Sequence, residues 1–227
     1  MEGSDQEPLT LEVEGGTRVS ALWRRASGAR ALFVFAHGAG AGMAHPFMTA
    51  VAAELSRLGI SSLRYQFPYM ERGAKRPDPP ALCHATVRAA VQAAHGLEPA
   101  TPLVAGGKSF GARMTSQAQA SAPLRAVRGL VFLGFPLHPP NEPSTTRAEH
   151  LDRVHIPMLF LQGSRDAFAE AGQLRPVIAR LGSRATLCLV EDADHSFHVP
   201  ARGGRRDADV RAQWLATMAA WVSSLPR

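Results

Sequence analysis

Apolar residues along this chain fall into short continuous runs that alternate with stretches of helical spacing. The run Ala31–Ala36 contains no polar position, which is typical of a strand buried on both faces of a sheet. Apolar residues at Phe47, Val51 and Leu55 recur every four positions instead, which predicts a helix. Read in this way, strands are predicted over residues 9–14, 17–24, 31–36, 60–65, 102–105, 127–134, 157–162 and 185–190. Helices are predicted over residues 47–58, 83–94, 111–120, 168–181 and 210–222, with a short helical segment near residue 150.

This order of elements predicts an α/β fold with a mostly parallel sheet flanked by helices. The first two strands alternate polar and apolar residues across Gly15 and Gly16, so we expect them to form an antiparallel hairpin at one edge. No repeat, linker or low-complexity segment divides the chain. We therefore expect residues 1–227 to form a single domain.

The net charge of the chain suggests a nucleic-acid partner, but the distribution of the charges argues against one. The formal net charge is +6 and the sequence pI is about 10.3. Only Lys75 and Lys108 of the 25 basic residues are lysines, and the arginines are scattered rather than gathered in one run. We expect no nucleic-acid partner. The longest uncharged apolar stretch, residues 129–137, is about half as long as a membrane span, so we expect no membrane insertion either.

The N-terminus and the cysteines indicate where the protein works. Residues 1–7 are polar and acidic, the opposite of the basic start and apolar run of a secretion signal. Cys83 and Cys188 are far apart in the sequence and form no spaced cluster, which argues against a disulfide scaffold or a zinc finger. We therefore expect a cytoplasmic protein, present as a monomer or a homodimer.

The candidate chemistry lies in the turns after the strands, where ligands bind in sheets of this kind. The fifth predicted strand leads into a G-x-S-x-G motif at residues 107–111, and a helix follows. A serine on such a tight turn needs small residues two positions before and after it, and Gly107 and Gly111 supply them. The motif also resembles the end of a phosphate-binding P-loop, but that loop needs a glycine where Pro102 stands. We predict that Ser109 is a nucleophile.

A serine nucleophile needs a base, and the base needs a carboxylate that fixes its tautomer. In this type of sheet, the acid follows the serine in the sequence and the histidine follows the acid. Asp166 comes after the seventh predicted strand and His195 after the eighth, both at carboxyl ends. We predict a triad of Ser109, Asp166 and His195, with His198 as the competing base.

The negatively charged oxygen that forms during acyl transfer needs two backbone N–H donors. Phe110, the residue after the predicted nucleophile, is expected to supply one of them. The glycine-rich turn at residues 37–42, after the third strand, is expected to supply the other. We predict that Ala39 and Phe110 form an oxyanion hole.

Together these motifs resemble an α/β-hydrolase of the dienelactone-hydrolase-like group, and specifically its KANL3/Tex30-like family. The resemblance covers about residues 31 to 197, with matching stretches at 37–43, 64–70, 107–113, 135–140, 162–166 and 193–197. It implies an α/β-hydrolase fold, a Ser-Asp-His triad on Ser109, Asp166 and His195, and no metal or organic cofactor. The chain departs from true dienelactone hydrolases, which carry cysteine at the position of Ser109, so we do not expect dienelactone itself to be the substrate.

The loop after the fourth strand carries aromatic and basic residues near the predicted site. Its aromatic residues could line a pocket for an acyl group, or they could simply anchor a surface loop. Its basic residues could attract an anionic group; they are Arg72, Lys75 and Arg76. The candidate substrate-binding residues are Gly38, Gly40, Tyr65, Phe67, Tyr69 and Phe135.

The segment between the sixth and seventh strands has only about 20 residues, whereas many α/β-hydrolases insert a cap domain there. We therefore expect no large cap domain and an open site for small acyl esters. The sequence favours a serine hydrolase of the carboxylesterase or thioesterase type with a small-molecule acyl substrate. An acyltransferase or a peptidase would use the same triad. A non-catalytic interaction module with this fold is a further alternative.

Overall fold

The computed structural model of the chain describes residues 6–226, apart from the side chain of Arg202. The acidic residues 1–5 at the N-terminus lie outside the described residues. The strands are β1 (Glu7–Val13), β2 (Thr17–Arg24), β3 (Ala31–Ala36), β4 (Ile60–Tyr65), β5 (Leu103–Lys108), β6 (Val127–Leu133), β7 (Met158–Gly163) and β8 (Ala185–Val190). The α-helices are α1 (Pro46–Arg57), α2 (Pro68–Glu71), α3 (Pro80–Leu97), α4 (Phe110–Ser121), α5 (Ala171–Leu181) and α6 (Asp207–Ser224).

The strands form one eight-stranded sheet in the order β1-β2-β4-β3-β5-β6-β7-β8. β1 pairs antiparallel with β2, and β2 pairs antiparallel with β4. The other neighbouring strands are parallel. The predicted mostly parallel sheet and its antiparallel hairpin at one edge are therefore confirmed. Because β3, β5, β6, β7 and β8 run in the same direction, the turns after them meet at one edge of the sheet.

Alternate residues of the central strands face two hydrophobic layers, one on each side of the sheet. In β3, Leu32 and Val34 belong to the layer that also contains residues of α3, α4 and α5. Phe33 and Phe35 belong to the layer that contains residues of α1 and α6. All four side chains are at most 1% exposed. Because helices cover both faces, a central strand needs apolar residues at consecutive positions, which explains the continuous runs in the sequence.

Most predicted helices and strands differ from the observed ones by one to three residues at an end, and two of these differences affect the site. β5 continues to Lys108, through two glycines that pair with β6 although glycine is uncommon within strands. α5 begins at Ala171 rather than at residue 168. The residues before it form a turn instead, because the carboxylate of Asp166 accepts a hydrogen bond from the backbone N–H of Phe168.

The loop between β4 and α3 contains the short helix α2, which the sequence pattern did not predict. α2 has only four residues, and Pro68 stands at its start, where proline is favoured. A helix of this length cannot show a hydrophobic period. The segment between β6 and β7 contains a 3-10 helix, Thr146–Arg153, and no inserted cap domain.

In residues 6–226, none of the helices combines the length and the apolar character that crossing a membrane requires. Both cysteines are unpaired; Cys83 is buried and Cys188 is half-buried. The same part of the chain has no group of three or more histidine, cysteine, aspartate or glutamate side chains that could hold a metal ion.

Candidate active site

Ser109 lies on a sharp turn between β5 and α4. Its backbone has φ +51° and ψ −110°, a conformation that residues with a side chain rarely adopt. Two hydrogen bonds hold it there. The N–H of Ser109 donates to the carbonyl of Leu133 at 3.0 Å, and the carbonyl of Ser109 accepts from the N–H of Arg113 at 3.2 Å. The turn therefore presents the hydroxyl of Ser109 at the carboxyl edge of the sheet.

The glycines on either side of the serine let the turn lie against β3. A Cβ atom at Gly107 would lie 2.5 Å from the carbonyl oxygen of Ala36, and one at Gly111 would lie 2.6 Å from that of His37. Both distances are far below van der Waals contact, and both neighbours are backbone atoms that cannot turn away. The small residues that the sequence motif requires thus have a steric reason in this structure.

The side chains of Ser109, His195 and Asp166 form a continuous chain of hydrogen bonds. The Oγ of Ser109 lies 2.8 Å from Nε2 of His195, and Nδ1 of His195 lies 2.7 Å from Oδ2 of Asp166. When Nδ1 carries the proton and donates it to the carboxylate, Nε2 is left as an acceptor for the serine hydroxyl. The structure brings together the three residues predicted as a triad, from turns after three different strands.

The carboxylate of Asp166 is fully buried, and three donors share its two oxygens. Besides His195, the amide of Gln162 donates to Oδ2 at 2.5 Å and the backbone N–H of Phe168 donates to Oδ1 at 2.8 Å. The other end of the Gln162 amide accepts from the N–H of Phe135 at 2.9 Å. These bonds compensate a buried charge and fix the direction in which the carboxylate points. Gln162 was not predicted as part of the site from the sequence.

His195 is held by contacts on its ring and on its backbone. The ring packs on that of Phe168, with the two centroids 4.3 Å apart. The ammonium group of Lys108 donates to the backbone carbonyl of His195 at 2.6 Å. Burial lowers the pKa of Lys108 to about 8, although Asp166 and Asp194 act in the opposite direction. Lys108 therefore ties the strand that carries Ser109 to the loop that carries the histidine. In the sequence, this contact of Lys108 is indicated only by the position of the lysine directly before Ser109.

Two backbone N–H groups lie where an oxyanion hole is expected. The N–H of Phe110 is at the start of α4, and Ala39 lies in the turn after β3; both residues line the same cleft as Ser109. Within residues 6–226, neither N–H donates to a protein acceptor. Both donors are thus available to a ligand, and the positive end of the α4 dipole favours a negative charge at this position.

The turn that carries Ala39 is fastened to the segment after β4. Both ring nitrogens of His37 form hydrogen bonds. Nδ1 lies 2.7 Å from the carbonyl of Gly38, and Nε2 accepts from the N–H of Phe67 at 3.0 Å. The hydroxyl of Tyr69 donates to the carbonyl of Ala39 at 2.8 Å. Burial lowers the pKa of His37 to about 4, so the ring is neutral at physiological pH and Nδ1 carries its proton.

The aromatic residues expected to contact substrate are buried in the core instead. Four side chains are 0% exposed and line no part of the cleft: those of Tyr65, Phe67, Tyr69 and Phe135. Rings of this set pack on Phe110 and on His37, beside the turn that carries Ala39. The expectation that they form a substrate wall is corrected accordingly, because a residue's place after a strand does not reveal the direction of its side chain. Gly38 and Gly40 flank Ala39 in the turn but are also absent from the cleft lining.

A cleft of about 330 Å³ opens beside Ser109. Its lining residues are Ala39, Pro77, Asp78, Pro80, Ser109, Phe110, Arg113, Met114, Pro136, Arg147 and Phe168. A larger depression of about 620 Å³ lies elsewhere, around Ala26 and Glu98, and includes none of the triad residues. The smaller cleft is the candidate site, because the nucleophile candidate and the residues of both N–H donors line it.

The charged residues of the cleft are not those expected from the sequence. Arg72, Lys75 and Arg76 are exposed and do not line it. Arg113 from α4 and Arg147 from the 3-10 helix do line it. These two are 34 positions apart in the numbering, and only the folded chain brings them to one cleft.

His198, the competing base, forms a hydrogen bond with Asp207 and none with Ser109. Its side chain is exposed, and Nδ1 lies 2.9 Å from Oδ2 of Asp207, which raises the pKa of His198. Asp194, beside His195 in sequence, uses its Oδ1 atom to accept the N–H groups of Ser196 and His198. Neither residue joins the hydrogen-bond chain to Ser109, which leaves His195 as the base candidate.

Comparisons with known proteins agree with this architecture. A family model described as an alpha/beta hydrolase domain matches residues 29–223. An α/β serine hydrolase without a lid from Xanthomonas campestris is 20% identical, with a TM-score of 0.74 and coverage of 100% of this chain and 98% of that chain. A dienelactone hydrolase from Anabaena variabilis is 17% identical, with a TM-score of 0.76 and 98% of each chain covered.

The esterase domain of a Rhodothermus marinus protein is 15% identical, with a TM-score of 0.72 and coverage of 97% of this chain and 98% of that chain. At such identities the likeness to solved structures establishes the fold, and the match to the family model covers most of the chain. The chain belongs to the alpha/beta hydrolase domain family.

Proposed function

We propose that the protein is a serine hydrolase of the carboxylesterase or thioesterase type that cleaves small acyl esters. The observation that carries this proposal is the unbroken hydrogen-bond chain from Ser109 through His195 to Asp166, next to two unengaged N–H groups. We also propose that the chain belongs to the dienelactone-hydrolase-like group and, within it, to the KANL3/Tex30-like family. The small cleft supports a small-molecule acyl substrate.

In the first half of the proposed reaction, Ser109 attacks the carbonyl carbon of the ester. His195 accepts the hydroxyl proton at Nε2 as the new C–O bond forms, and Asp166 stabilises the imidazolium. The carbonyl oxygen becomes negative and binds the N–H groups of Ala39 and Phe110. When the tetrahedral intermediate collapses, the imidazolium protonates the departing alcohol or thiol, which leaves an acyl-enzyme on Ser109.

Water completes the proposed cycle by the same route. His195 removes a proton from a water molecule that attacks the acyl-enzyme, and the N–H groups of Ala39 and Phe110 again bind the oxyanion. The imidazolium then returns its proton to the oxygen of Ser109, and the carboxylic acid leaves. An alcohol or amine in place of water would give acyl transfer, so the identity of the acceptor separates these two activities.

The surroundings of the cleft favour entry of small, freely diffusing substrates. The segment between β6 and β7 packs onto α4, where the ring of His150 lies 2.8 Å from the hydroxyl of Ser116. It therefore forms part of the wall rather than a separate cap. A long acyl chain would extend beyond a cleft of about 330 Å³, which forfeits about 0.8 kcal/mol for each CH₂ left in water.

Hydrolysis of p-nitrophenyl acetate by matched serine variants tests the proposal. Replacement Ser109→Ala removes the nucleophile, and we expect kcat/KM to fall by about 10³-fold or more. Ser196→Ala is the control, because Ser196 is exposed and directly follows His195 without joining its hydrogen-bond chain. Unchanged activity in Ser109→Ala, with its fold intact by circular dichroism, would show that the chemistry belongs to another residue. Absence of ester and thioester hydrolysis in the wild type would favour a non-catalytic interaction module.

A further inference from the structure

Two arginines, Arg113 and Arg147, line the cleft beside Ser109, and among the described residues neither is paired with a carboxylate. Arg113 lies one turn into α4, and Arg147 lies in the 3-10 helix that follows β6. Within the described part of the chain, neither side chain forms a salt bridge or a hydrogen bond. Arg113 has an aromatic contact: its guanidinium carbon lies 5.9 Å from the ring centroid of Phe110.

The two positive charges act on each other. Burial lowers the pKa of Arg113, and the charge of Arg147 lowers it further. Like charges gathered at a partly buried site destabilise a protein unless something compensates them. The carboxylate of Asp78 also lines the cleft: its Oδ1 lies 2.5 Å from the guanidinium of Arg72, and its Oδ2 has no hydrogen-bond partner among the described residues. This one carboxylate, paired with an arginine that does not line the cleft, does not balance the two arginines that do. The cleft therefore keeps a positive charge next to the nucleophile candidate.

We propose that Arg113 and Arg147 form an anion subsite that binds a carboxylate of the substrate while Ser109 attacks its ester carbonyl. The preferred substrates are then short esters that carry a free carboxylate, such as monoesters of dicarboxylic acids. A guanidinium suits this role because its planar donors match the two oxygens of a carboxylate and remain charged at physiological pH. This inference rests on the proposed function.

The carboxylate can belong to either half of the ester, and paired substrates separate the two cases. Monoethyl glutarate carries it on the acyl side, and its matched neutral partner is the corresponding carboxamide, ethyl glutaramate. 4-Carboxyphenyl acetate carries it on the leaving group, and its partner is 4-carbamoylphenyl acetate. Each pair differs in charge and hardly in shape, so the ratio of the two kcat/KM values isolates recognition of the anion.

The ratio is measured in the wild type and in Arg113→Gln, Arg147→Gln and Arg76→Gln. Arg76→Gln is the matched control, because it removes the same charge from an exposed arginine that does not line the cleft. We expect the wild type to prefer the carboxylate in one of the pairs by roughly tenfold or more. Either cleft variant should lose most of this preference, and the control should keep it. Added salt should weaken the preference, because part of the attraction is screened.

The proposal is overturned if the wild type hydrolyses both members of each pair equally well. It is also overturned if the preference survives both cleft substitutions, or if Arg76→Gln reduces it as much as they do, since the net charge of the molecule would then be the cause. The use of two separate cleft variants keeps the test decisive if one of them fails to fold.

A binding measurement separates failure of this inference from failure of the proposed function. Monoethyl glutarate and ethyl glutaramate are titrated into Ser109→Ala by ligand-observed NMR, with and without Arg113→Gln. Tighter binding of the carboxylate, lost with Arg113→Gln, supports the subsite even if no ester is hydrolysed. Equal binding of the two ligands rejects the subsite even if Ser109 proves to be an active nucleophile.

Discussion

Asp166 is the residue that fixes the orientation of the candidate base. Its buried carboxylate accepts hydrogen bonds from His195, Gln162 and the N–H of Phe168. An ionised carboxylate can only accept, so it holds the histidine in the tautomer whose Nε2 is free to accept the serine proton. The orientation of the candidate base thus depends on a carboxylate that is fully buried.

Replacement Asp166→Asn should therefore reduce turnover while the protein stays folded. The amide can donate to Nδ1 of His195, which favours the tautomer with the proton on Nε2, where it blocks the base. We expect kcat to fall by about 10⁴-fold. Asp192→Asn is the control, since Asp192 is exposed in the loop that carries His195 and has a positive φ that asparagine tolerates. Equal loss in both variants, measured by steady-state kinetics, would point to a disturbed loop rather than to the tautomer.

Individual site residues differed in how well they could be predicted. Ser109, Asp166 and His195 were predictable as a set, because residue type, order in the sequence and position after a strand all agree. The buried aromatic Phe67 was assigned to the substrate wall, because its position in a loop carries no information on side-chain direction. Gln162 was overlooked because it is the last residue of the predicted strand 157–162, and a strand pattern does not reveal what a side chain bonds to.

The turn after β3 depends on the loop after β4 for its shape. His37 and Tyr69 connect the two segments through hydrogen bonds to Gly38, Phe67 and Ala39. The loop that the sequence suggested as a substrate wall therefore serves as the support for a proposed oxyanion donor. Its helix α2 was not predictable, because four residues leave no period, whereas the longer strands β3 and β4 matched the prediction at both ends.

This dependence predicts different effects for the two tyrosines of the chain. Tyr69→Phe removes the bond to Ala39 and keeps the ring, so we expect kcat/KM to fall by roughly tenfold and the free energy of unfolding by about 1 kcal/mol. Tyr65→Phe is the matched control, because Tyr65 is equally buried and its hydroxyl does not bond to the turn. Ester kinetics and urea denaturation measure both quantities. A similar rate loss in both variants would mean that core packing, not the bond to Ala39, matters.

The stability of the whole molecule should depend on pH through Lys108. Burial lowers the pKa of Lys108 to about 8 in the folded protein, whereas an unfolded lysine titrates near pH 10.4. Between these two pKa values, Lys108 binds more protons in the unfolded chain than in the folded protein. The contribution of Lys108 to the free energy of unfolding therefore rises with pH. Between about pH 7.5 and pH 9.5 we expect a gain of about 1–2 kcal/mol relative to Lys108→Met.

The comparison with Lys108→Met is needed because other groups act in the opposite direction. Burial raises the pKa values of Cys83, Cys188, Tyr65 and Tyr69, so their contributions to stability fall as pH rises into the alkaline range. These contributions are common to both proteins and cancel in the difference. Urea denaturation at the two pH values gives that difference directly. A difference that does not change with pH would contradict the depressed pKa.

The charge of the cleft is a property of the assembled molecule. Arg113 and Arg147 come from different elements. Arg113 lies at the end of the matching stretch 107–113, but nothing in the local sequence around Arg147 marks it as part of a site. The α/β order of the elements was predictable from the alternation of strands and helices. The meeting of these two side chains beside Ser109 was not, because it depends on how the 3-10 helix packs against α4.

Reaction with a fluorophosphonate, followed by peptide mass spectrometry, tests most directly whether Ser109 is an activated nucleophile. Such a probe bonds to a serine whose hydroxyl a neighbouring base activates. We predict one phosphonyl adduct per chain, located on the peptide that contains Ser109, and slowed labelling in His195→Ala. An adduct on another residue, or no adduct on correctly folded wild-type protein, would contradict the account.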